Sequence, residues 1–242
     1  MSENDGVCLM RPSQPVPPVT AVCLVDGRLA MVERAMRSFA AQTYPNRCLL
    51  LYDTGELALR GVWPDMLIPT GAVYVRTVRP AGAKLGDLRN LANEAATGEI
   101  LLHWDSDDWS HPLRIEEQVF DLIAAERADA TGYNDLLAWN SGDPRHEPGA
   151  WLYQGRPNYM VGTSLCYWRQ TWRNKPFPSL NSGEDHRWCS GLNGEATTSL
   201  RSGSAVIIAE VHGHNTHLHL SPGWTRAGEW DEYCSARMEG GQ

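Results

Sequence analysis

The chain has 242 residues, a formal net charge of −8 and an ordinary hydrophobic share of 42%. This length suits one large domain or two small ones. The negative net charge argues against non-specific binding to nucleic-acid phosphates over a broad surface. No apolar run approaches the roughly 20 residues that span a bilayer, and residues 1–18 lack the basic-then-apolar order of a signal peptide. We therefore expect a cytoplasmic protein with an irregular, proline-bearing leader over residues 1–18 and free thiols at its six scattered cysteines.

The chain after this leader begins with a strand-helix-strand pattern. Residues 19–25 are a short apolar run typical of a strand, and residues 29–42 carry apolar side chains at helical spacing. A second apolar run over residues 48–52 ends at Asp53. Strands joined in this way pair in parallel, and ligands gather at their carboxyl ends, where Asp26 and Asp53 lie. Either aspartate could instead cap a turn.

The next segment combines a strand with a glycine-bearing loop and a helix. Residues 73–78 are a further candidate strand, and residues 81–86 lead into a helix that ends at Gly98, a typical C-terminal cap. Lys84 and Arg89 lie near the start of this helix, where free backbone N–H groups also favour an anion. The glycine spacing matches neither a Walker loop nor G-x-G-x-x-G, so it identifies no nucleotide by itself.

Three carboxylates follow an apolar run that predicts a buried strand over residues 100–104. They are Asp105, Asp107 and Asp108. Crowded carboxylates repel and raise one another's pKa unless a cation lies between them. A hard divalent metal ion is the simplest such cation because it takes oxygen ligands. We expect the catalytic centre here, although a solvated acidic loop would carry the same residues.

The second half of the chain has a different order of elements. A helix is predicted to begin near Pro112, and residues 128–139 and 150–153 then look like strands around a polar turn. Residues 160–168 are ambiguous, whereas residues 205–211 are a clear strand. The first half therefore reads as an α/β unit, and the second half as a smaller region of strands and short helices.

Two polar groups in the second half are further candidates for chemistry. Glu184 and Asp185 follow a glycine at a predicted helix start, where acids are also favoured without any catalytic role. His212, His214 and His217 come directly after the last clear strand. Their spacing suggests a metal ligand among them, although any one of them could be a surface histidine.

Tryptophan is unusually frequent, with ten residues in the chain. Several flank polar motifs, namely Trp104, Trp109, Trp188 and Trp224. They could stack against a sugar or another flat ligand, or they could simply pack in the core.

The sequence lacks the motifs of two common classes of catalytic site. The chain has no H-E-x-x-H or C-x-x-C pattern of a zinc site and no G-x-S-x-G nucleophile elbow. An oxygen-rich site with at most one imidazole suits Mn²⁺ or Mg²⁺ better than zinc. Such an ion commonly binds a diphosphate.

These motifs together resemble those of the family 2 glycosyltransferases, which have the GT-A fold. The resemblance covers about residues 19–217 and follows one order along the chain: Ser38 with Gln42–Thr43, Asp53, Gly86 with Arg89–Asn90, Asp105–Asp108 as a DxD motif, Gly183–Asp185 as an ED motif, and His212 with Asn215–Thr216. Two departures fall where the family binds the base and ribose. Asp53 has no second acid beside it, and residues 26–28 replace the usual Tyr-Asn.

The resemblance implies an α/β fold: a GT-A, Rossmann-like mixed sheet flanked by helices, with a smaller acceptor-side β/α region. It implies a single domain over residues 19–220. Residues 19–127 would form the nucleotide-binding half and residues 128–220 the acceptor-binding half. Residues 221–242 are expected to be a flexible tail or flap.

The resemblance also implies a function, the transfer of a hexose from a nucleoside diphosphate sugar to an acceptor hydroxyl. The transfer would depend on Mn²⁺ or Mg²⁺ and would invert the anomeric centre. The expected donor is a UDP-sugar. On the donor side, the resemblance implies Asp53 and Asp26 for the base, Lys84 and Arg89 for the base or a phosphate, and Asp105 for the ribose and the metal. Asp107 would be the direct metal ligand, with His212 as the preferred late ligand and His214 as the second choice. Asp185 would be the general base, and Glu184 would bind the acceptor or act as the alternative base. The acceptor stays open among a glycan, a small molecule, a protein and a modified nucleobase.

Two other classes of function remain at this point. A nucleotidyltransferase also joins an α/β sheet to acidic metal ligands, but the turn at residues 26–28 is too short for the glycine-rich basic loop of such enzymes. A catalytically inactive sugar-binding module could use the tryptophans, although it would have no need for the retained acids.

Overall fold

A computed structural model of the chain describes residues 16–26, 28–55, 70–126, 128–155, 159–192, 195–198, 203, 206–212, 215 and 224–228. The strands are β1 (Val19–Val25), β2 (Arg47–Asp53), β3 (Ala72–Arg76), β4 (Ile100–His103), β5 (Trp109–Ser110), β6 (Ala128–Gly132), β7 (Asp135–Asn140), β8 (Gly149–Gln154), β9 (Cys166–Trp168), β10 (Glu195–Thr198), β11 (Ile207–Val211) and β12 (Trp224–Gly228). The helices are α1 (Leu29–Ala40), α2 (Leu85–Ala95), α3 (Arg114–Ala124), α4 (Arg169–Asn174) and α5 (Glu184–Cys189). Within the described ranges, no helix has both the length and the apolar character needed to cross a bilayer.

The larger sheet runs in the order β10-β6-β9-β4-β1-β2-β3. Strand β1 pairs in parallel with β2 and β4, and β2 pairs in parallel with β3, as the strand-helix-strand pattern predicts. Strand β9 runs antiparallel between β4 and β6, so the sheet is mixed. The carboxyl ends of β1, β2 and β4 therefore lie along one edge of the sheet.

Helices cover both faces of this sheet because its central strands are apolar on both sides. Helices α1 and α3 pack on one face, with a shared core of Val32, Met36, Phe39, Ile115, Val119 and Leu122. Helix α2 packs on the other face, together with buried aromatic residues that include Tyr167, Trp172, Phe177 and Trp188. The predicted class, a mixed α/β sheet flanked by helices, is confirmed.

A smaller sheet has the order β12-β8-β7-β11-β5. Its two-residue strand β5 pairs antiparallel with β11, and β11 pairs in parallel with β7. Strand β4 belongs to the larger sheet and β5 to the smaller one, so the acidic turn at residues 104–108 connects the two sheets. This connection places the three aspartates at the junction between them.

Two elements of the second half differ from the sequence-based expectation. Residues 128–139 were expected to form one strand, but the chain leaves the larger sheet at Gly132 and enters the smaller one at Asp135. At this break the Tyr133 N–H donates to Ser164 Oγ (2.9 Å) instead of to a neighbouring strand. The ambiguous residues 160–168 form a 3₁₀ turn, Gly162–Ser164, followed by β9.

Within residues 221–242, which were expected to be a flexible tail or flap, Trp224–Gly228 are ordered as a strand. These residues form the edge strand β12, which pairs antiparallel with β8. The Trp224 ring packs on the Tyr153 ring with centroids 5.1 Å apart, and this contact gives the strand an apolar anchor. Residues 1–15 of the predicted leader and residues 229–242 lie outside the described residues.

Candidate active site

A cleft of about 560 Å³ opens at the junction of the two sheets. The acidic turn lines one side, and the start of α5 lines the opposite side. The polar residues in its lining include Arg28, Arg89, Asp105, Asp107, Glu184, Asp185 and Asn215. The structure thus brings together the acid cluster and the Glu184–Asp185 pair, which the sequence alone places about 80 residues apart.

The three aspartates of the acidic turn have different surroundings. Asp108 accepts hydrogen bonds from Thr163 Oγ1 (2.7 Å) and from the Glu210 backbone N–H (3.3 Å). These contacts bind the turn to the 3₁₀ turn and to β11, which gives Asp108 a structural role. All three aspartates line the cleft, but Asp105 and Asp107 are less buried than Asp108.

The crowding of these carboxylates has the expected electrostatic effect. Burial is the largest cause that raises the pKa of Asp105, the Arg89 guanidinium opposes this rise, and repulsion from Asp107 adds to it. Burial, and then repulsion from Asp107 and Asp105, raises the pKa of Asp108 well above its ordinary value. A cation at this turn would relieve the repulsion, as the sequence analysis anticipates.

The late histidine lies where it was expected, beside the acidic turn. His212 follows β11, and its Nε2 lies 3.0 Å from Asp107 Oδ2 although the two residues are 105 positions apart in sequence. Asn215 supports both groups: its Oδ1 accepts from the His212 backbone N–H (2.6 Å), and its Nδ2 lies 3.5 Å from Asp107 Oδ2. The second candidate, His214, and His217 lie outside the described residues.

The Asp107–His212 pair fits part of a divalent metal site. Two neighbouring ligands of an octahedral ion with bonds of about 2.1 Å are separated by about 3.0 Å, and the Oδ2–Nε2 distance is 3.0 Å. Among the residues that the structure describes, no group of three or more His, Cys, Asp or Glu side chains is arranged to hold a metal ion. The pair would supply two ligands of such an ion, and Mg²⁺ commonly keeps several water ligands.

An arginine that the sequence analysis did not single out completes this group. Arg28 precedes α1, and its Nη1 lies 3.1 Å from His212 Nε2 and 3.5 Å from Asp107 Oδ2. The sequence offered one clue, because residues 26–28 depart from the pattern of the family. The departure itself gave no indication that the Arg28 side chain reaches the acidic turn.

Arg89 and Glu184 form a buried ion pair across the cleft. Arg89 Nε donates to Glu184 Oε1 (3.0 Å), and both side chains are almost fully buried. Burial acts to lower the pKa of Arg89, but the charges of Asp105, Glu184 and Asp185 outweigh it and raise that pKa. Arg89 was expected to meet the base or a phosphate, and here its guanidinium pairs with Glu184 and lies near the charges of Asp105 and Asp185.

Asp185 is placed differently from Glu184. It is half-buried in the first turn of α5, lines the cleft, and its Oδ1 accepts from the His186 backbone N–H (2.6 Å). Its Oδ2 lies against Gly162, so closely that a Cβ at residue 162 would overlap it. The glycine of the 3₁₀ turn therefore makes room for the Asp185 carboxylate, a role that no sequence motif revealed.

The remaining donor-side candidates lie outside the lining of this cleft, as far as the described residues define it. Asp53, at the end of β2, is fully buried and accepts hydrogen bonds from Tyr74 Oη (2.6 Å) and the Gly55 backbone N–H (2.9 Å). Asp26 is exposed just after β1, and Lys84 is exposed just before α2. All three nevertheless lie on the edge of the sheet where the strands end.

Three tryptophans that could have formed sugar walls, Trp104, Trp109 and Trp188, are buried instead. Trp104, Trp109 and Trp188 are 1%, 8% and 0% exposed, because each packs in a hydrophobic core. Two other rings line the cleft on the Asp185 side: those of Tyr159 and His186, with centroids 5.7 Å apart. Sequence reasoning missed this pair because the two rings meet only through a tertiary contact between Tyr159 and α5.

A buried arginine, Arg114, connects the acidic turn to the 3₁₀ turn. Arg114, in the first turn of α3, donates through Nη2 to the carbonyl oxygens of His103 and Thr163, both at 2.7 Å. It also donates to Ser110 Oγ (2.8 Å) and to Gln118 Oε1 (3.1 Å). The two ends of the acidic turn are thereby fixed to the 3₁₀ turn that carries Gly162.

Comparison with known proteins gives structural relatives only. No protein-family model and no curated protein sequence matches the chain. Residues 1–349 of S. aureus TarS, solved in complex with UDP, superpose with a TM-score of 0.61 at 17% identity, covering 80% of this chain and 60% of TarS 1–349. The same protein in complex with UDP-GlcNAc gives a TM-score of 0.63 at 16% identity, with 85% and 62% covered.

The mannosyltransferase PcManGT from Pyrobaculum calidifontis, in complex with GDP-Man and Mn²⁺, gives a TM-score of 0.56 at 15% identity, with 81% of this chain and 56% of that chain covered. The chain thus spans about 60% of the length of the TarS 1–349 structures. At these identities the likeness concerns the fold. The chain has the GT-A type of mixed sheet flanked by helices that the sequence analysis predicted.

Proposed function

We propose that this protein is a glycosyltransferase that moves a hexose from a nucleoside diphosphate sugar to an acceptor hydroxyl, with a divalent metal ion and with inversion. The observation that carries the proposal is the 3.0 Å approach of His212 Nε2 to Asp107 Oδ2 in a cleft that also contains Asp185. Its donor is proposed to be a UDP-sugar, because structures with the same fold hold UDP and UDP-GlcNAc.

On the donor side, Asp107 and His212 would hold Mn²⁺ or Mg²⁺, and Asp105 would orient the ribose and the ion. The ion, when bound, neutralises charge on the departing diphosphate. Asp53 and Asp26 would bind the base from the ends of β2 and β1. Their positions along the strand-end edge support this assignment.

Lys84 is proposed to meet the base or a phosphate from the start of α2. Arg89 would act in the same region, but its ion pair with Glu184 gives it a second task. It fixes the first turn of α5 relative to the donor side. In this proposal residues 19–127 supply most of the donor site, and residues 128–220 supply the acceptor side and His212.

On the acceptor side, Asp185 would accept the proton of the acceptor hydroxyl as general base. The hydroxyl oxygen forms a bond to the anomeric carbon while the bond from that carbon to the diphosphate breaks, and the two groups lie in line. Inversion of the anomeric centre follows from such a single displacement. Glu184 would orient the acceptor, since its carboxylate is already held by Arg89.

The test is a calorimetric titration with UDP, with and without Mn²⁺. We expect UDP to bind in the micromolar to millimolar range and Mn²⁺ to tighten binding several-fold, because Asp107 and His212 contribute to the site only through the ion. A protein that ignores UDP both with and without Mn²⁺ would contradict the proposal and would fit a sugar-binding module instead. A protein that prefers a nucleoside triphosphate would fit a nucleotidyltransferase.

A further inference from the structure

Arg28 has a position that bears directly on metal binding at the proposed donor site. Its Nη1 lies 3.1 Å from His212 Nε2 and 3.5 Å from Asp107 Oδ2, and these two atoms lie 3.0 Å from each other. The three groups thus meet around one point. The Arg28 side chain is one-third exposed, whereas those of Asp107 and His212 are 14% and 7% exposed.

A neutral imidazole has one lone pair on its unprotonated ring nitrogen, and a metal ion and a hydrogen-bond donor cannot use that lone pair at once. In the tautomer with an unprotonated Nε2, Arg28 donates to that nitrogen and uses the lone pair that a metal ion would need. The same guanidinium lies within ion-pair distance of Asp107 Oδ2, the proposed metal-ligating oxygen. Metal binding must therefore displace Arg28 from both atoms.

Charge adds to this competition. A guanidinium carries a positive charge, so it would repel a divalent cation held by the same two ligands. The guanidinium also lowers the negative potential that attracts such a cation to the acidic turn. Arg28 lines the cleft and is only partly buried, so its long side chain has space to leave.

We propose that Arg28 is an intrinsic cation that competes with the divalent metal ion for Asp107 and His212 and thereby weakens metal binding. This inference rests on the proposed function for the identity of the site. It assigns Arg28 a regulatory role: the ion binds well only when a diphosphate supplies further ligands. Metal and nucleotide then bind together rather than one after the other.

The experiment measures Mn²⁺ binding in the absence of nucleotide, by the loss of the free Mn²⁺ electron paramagnetic resonance signal. We expect Arg28→Met to bind Mn²⁺ about tenfold more tightly than the unchanged protein, and Arg28→Gln to gain affinity as well because it also lacks the charge. The matched control is Arg79→Met, since Arg79 is exposed and donates to the Ala83 carbonyl oxygen away from the cleft. This control should leave the Mn²⁺ affinity unchanged.

A parallel titration of the same proteins with UDP and Mn²⁺ separates the two proposals. If the Arg28 variants bind UDP but gain no affinity for Mn²⁺, Arg28 does not compete with the metal, and the proposed function still stands. If UDP affinity falls while Mn²⁺ affinity stays the same, Arg28 is a phosphate ligand and the inference is overturned. If neither the unchanged protein nor any variant binds UDP, the proposed function fails. A gain in Mn²⁺ affinity in the Arg28 variants would still show that Arg28 competes with the ion.

Discussion

Glu184 and Asp185 are adjacent in sequence, but their carboxylates lie in different surroundings. Glu184 is buried, and its Oε1 already accepts a hydrogen bond from Arg89 Nε (3.0 Å). Asp185 is half-buried, lines the cleft and faces Gly162. At the residue scale, these contacts favour Asp185 over Glu184 as the general base.

Asp185→Asn therefore tests the assignment of the base. We expect sugar transfer to fall about 10²- to 10⁴-fold, because the amide cannot accept the hydroxyl proton. Binding of UDP with Mn²⁺ should stay within about twofold, since the proposal places Asp185 on the acceptor side. Loss of UDP binding in calorimetry would instead give Asp185 a structural role.

Gly162→Ala tests the contact that sets the position of Asp185. A methyl group at residue 162 would overlap the Asp185 carboxylate and displace it. Because a displacement of about 1 Å can cost up to 10²-fold in rate, we expect kcat to fall about 10- to 100-fold with little change in the KM for the donor.

The control for this change is Gly142→Ala, since a methyl group at Gly142 meets no atom within 4 Å. It should leave kcat unchanged. Equal effects of the two substitutions would show that Gly162 does not act through Asp185.

At this scale the sequence was informative wherever chemistry depends on residue type. Asp107 and His212 were both singled out, and the structure places them in contact. Arg28 and Gly162 were not singled out, because their roles depend on where a flexible side chain reaches and on the space that a missing side chain leaves. Neither property leaves a pattern in a single sequence.

At the scale of elements, Arg114 holds three parts of the chain together: α3, the end of β4 and the 3₁₀ turn. Its guanidinium donates to two backbone carbonyl oxygens that have little access to water. Arg114→Met would leave these acceptors without their donor, and each unsatisfied group costs about 1–3 kcal/mol.

We therefore expect Arg114→Met to lower the free energy of unfolding by about 3 kcal/mol in urea denaturation. Arg114→Lys should recover only part of this loss, because an ammonium group lacks the planar fork that reaches both carbonyls. An unchanged urea midpoint in Arg114→Met would contradict this stabilising role of Arg114.

The strand β12 provides a second test at the scale of elements. Trp224 packs on Tyr153, and the strand pairs with β8, so the chain near residue 224 contributes to the smaller sheet. Trp224→Ala should lower the free energy of unfolding by about 1–3 kcal/mol. Thr225→Ala, an exposed neighbour on the same strand, should change it by less than about 0.5 kcal/mol. A neutral Trp224→Ala would indicate that β12 contributes little to the fold.

Elements with a strong period were predictable, and those defined by a tertiary contact were not. The amphipathic pattern of α1 and the apolar run of β4 correspond closely to the observed elements. The break between β6 and β7 follows from a hydrogen bond between Tyr133 and Ser164, residues 31 positions apart. The strand β12 is polar and gains its order from β8, so local propensity gave no signal for it.

At the scale of the whole molecule, the fold explains how a short acidic turn becomes a site. The turn leaves the larger sheet at β4 and enters the smaller sheet at β5, so the smaller sheet can deliver His212 to it from the end of β11. The order of strands in the two sheets depends on long-range pairing. The sequence predicted the class of fold and the parallel β1-β2 pair, while the division into two sheets came only from the structure.

The most direct test of the central claim is release of UDP from a UDP-sugar, which needs no knowledge of the acceptor. We expect turnover with Mn²⁺, its loss in EDTA, and a decrease of at least about 100-fold in both Asp107→Asn and His212→Ala, because each removes a proposed ligand of the ion that would neutralise the diphosphate. His146→Ala, in a loop beside Trp151, is the control and should retain full activity. UDP release that persists in EDTA, or in both variants, would contradict the proposed metal site.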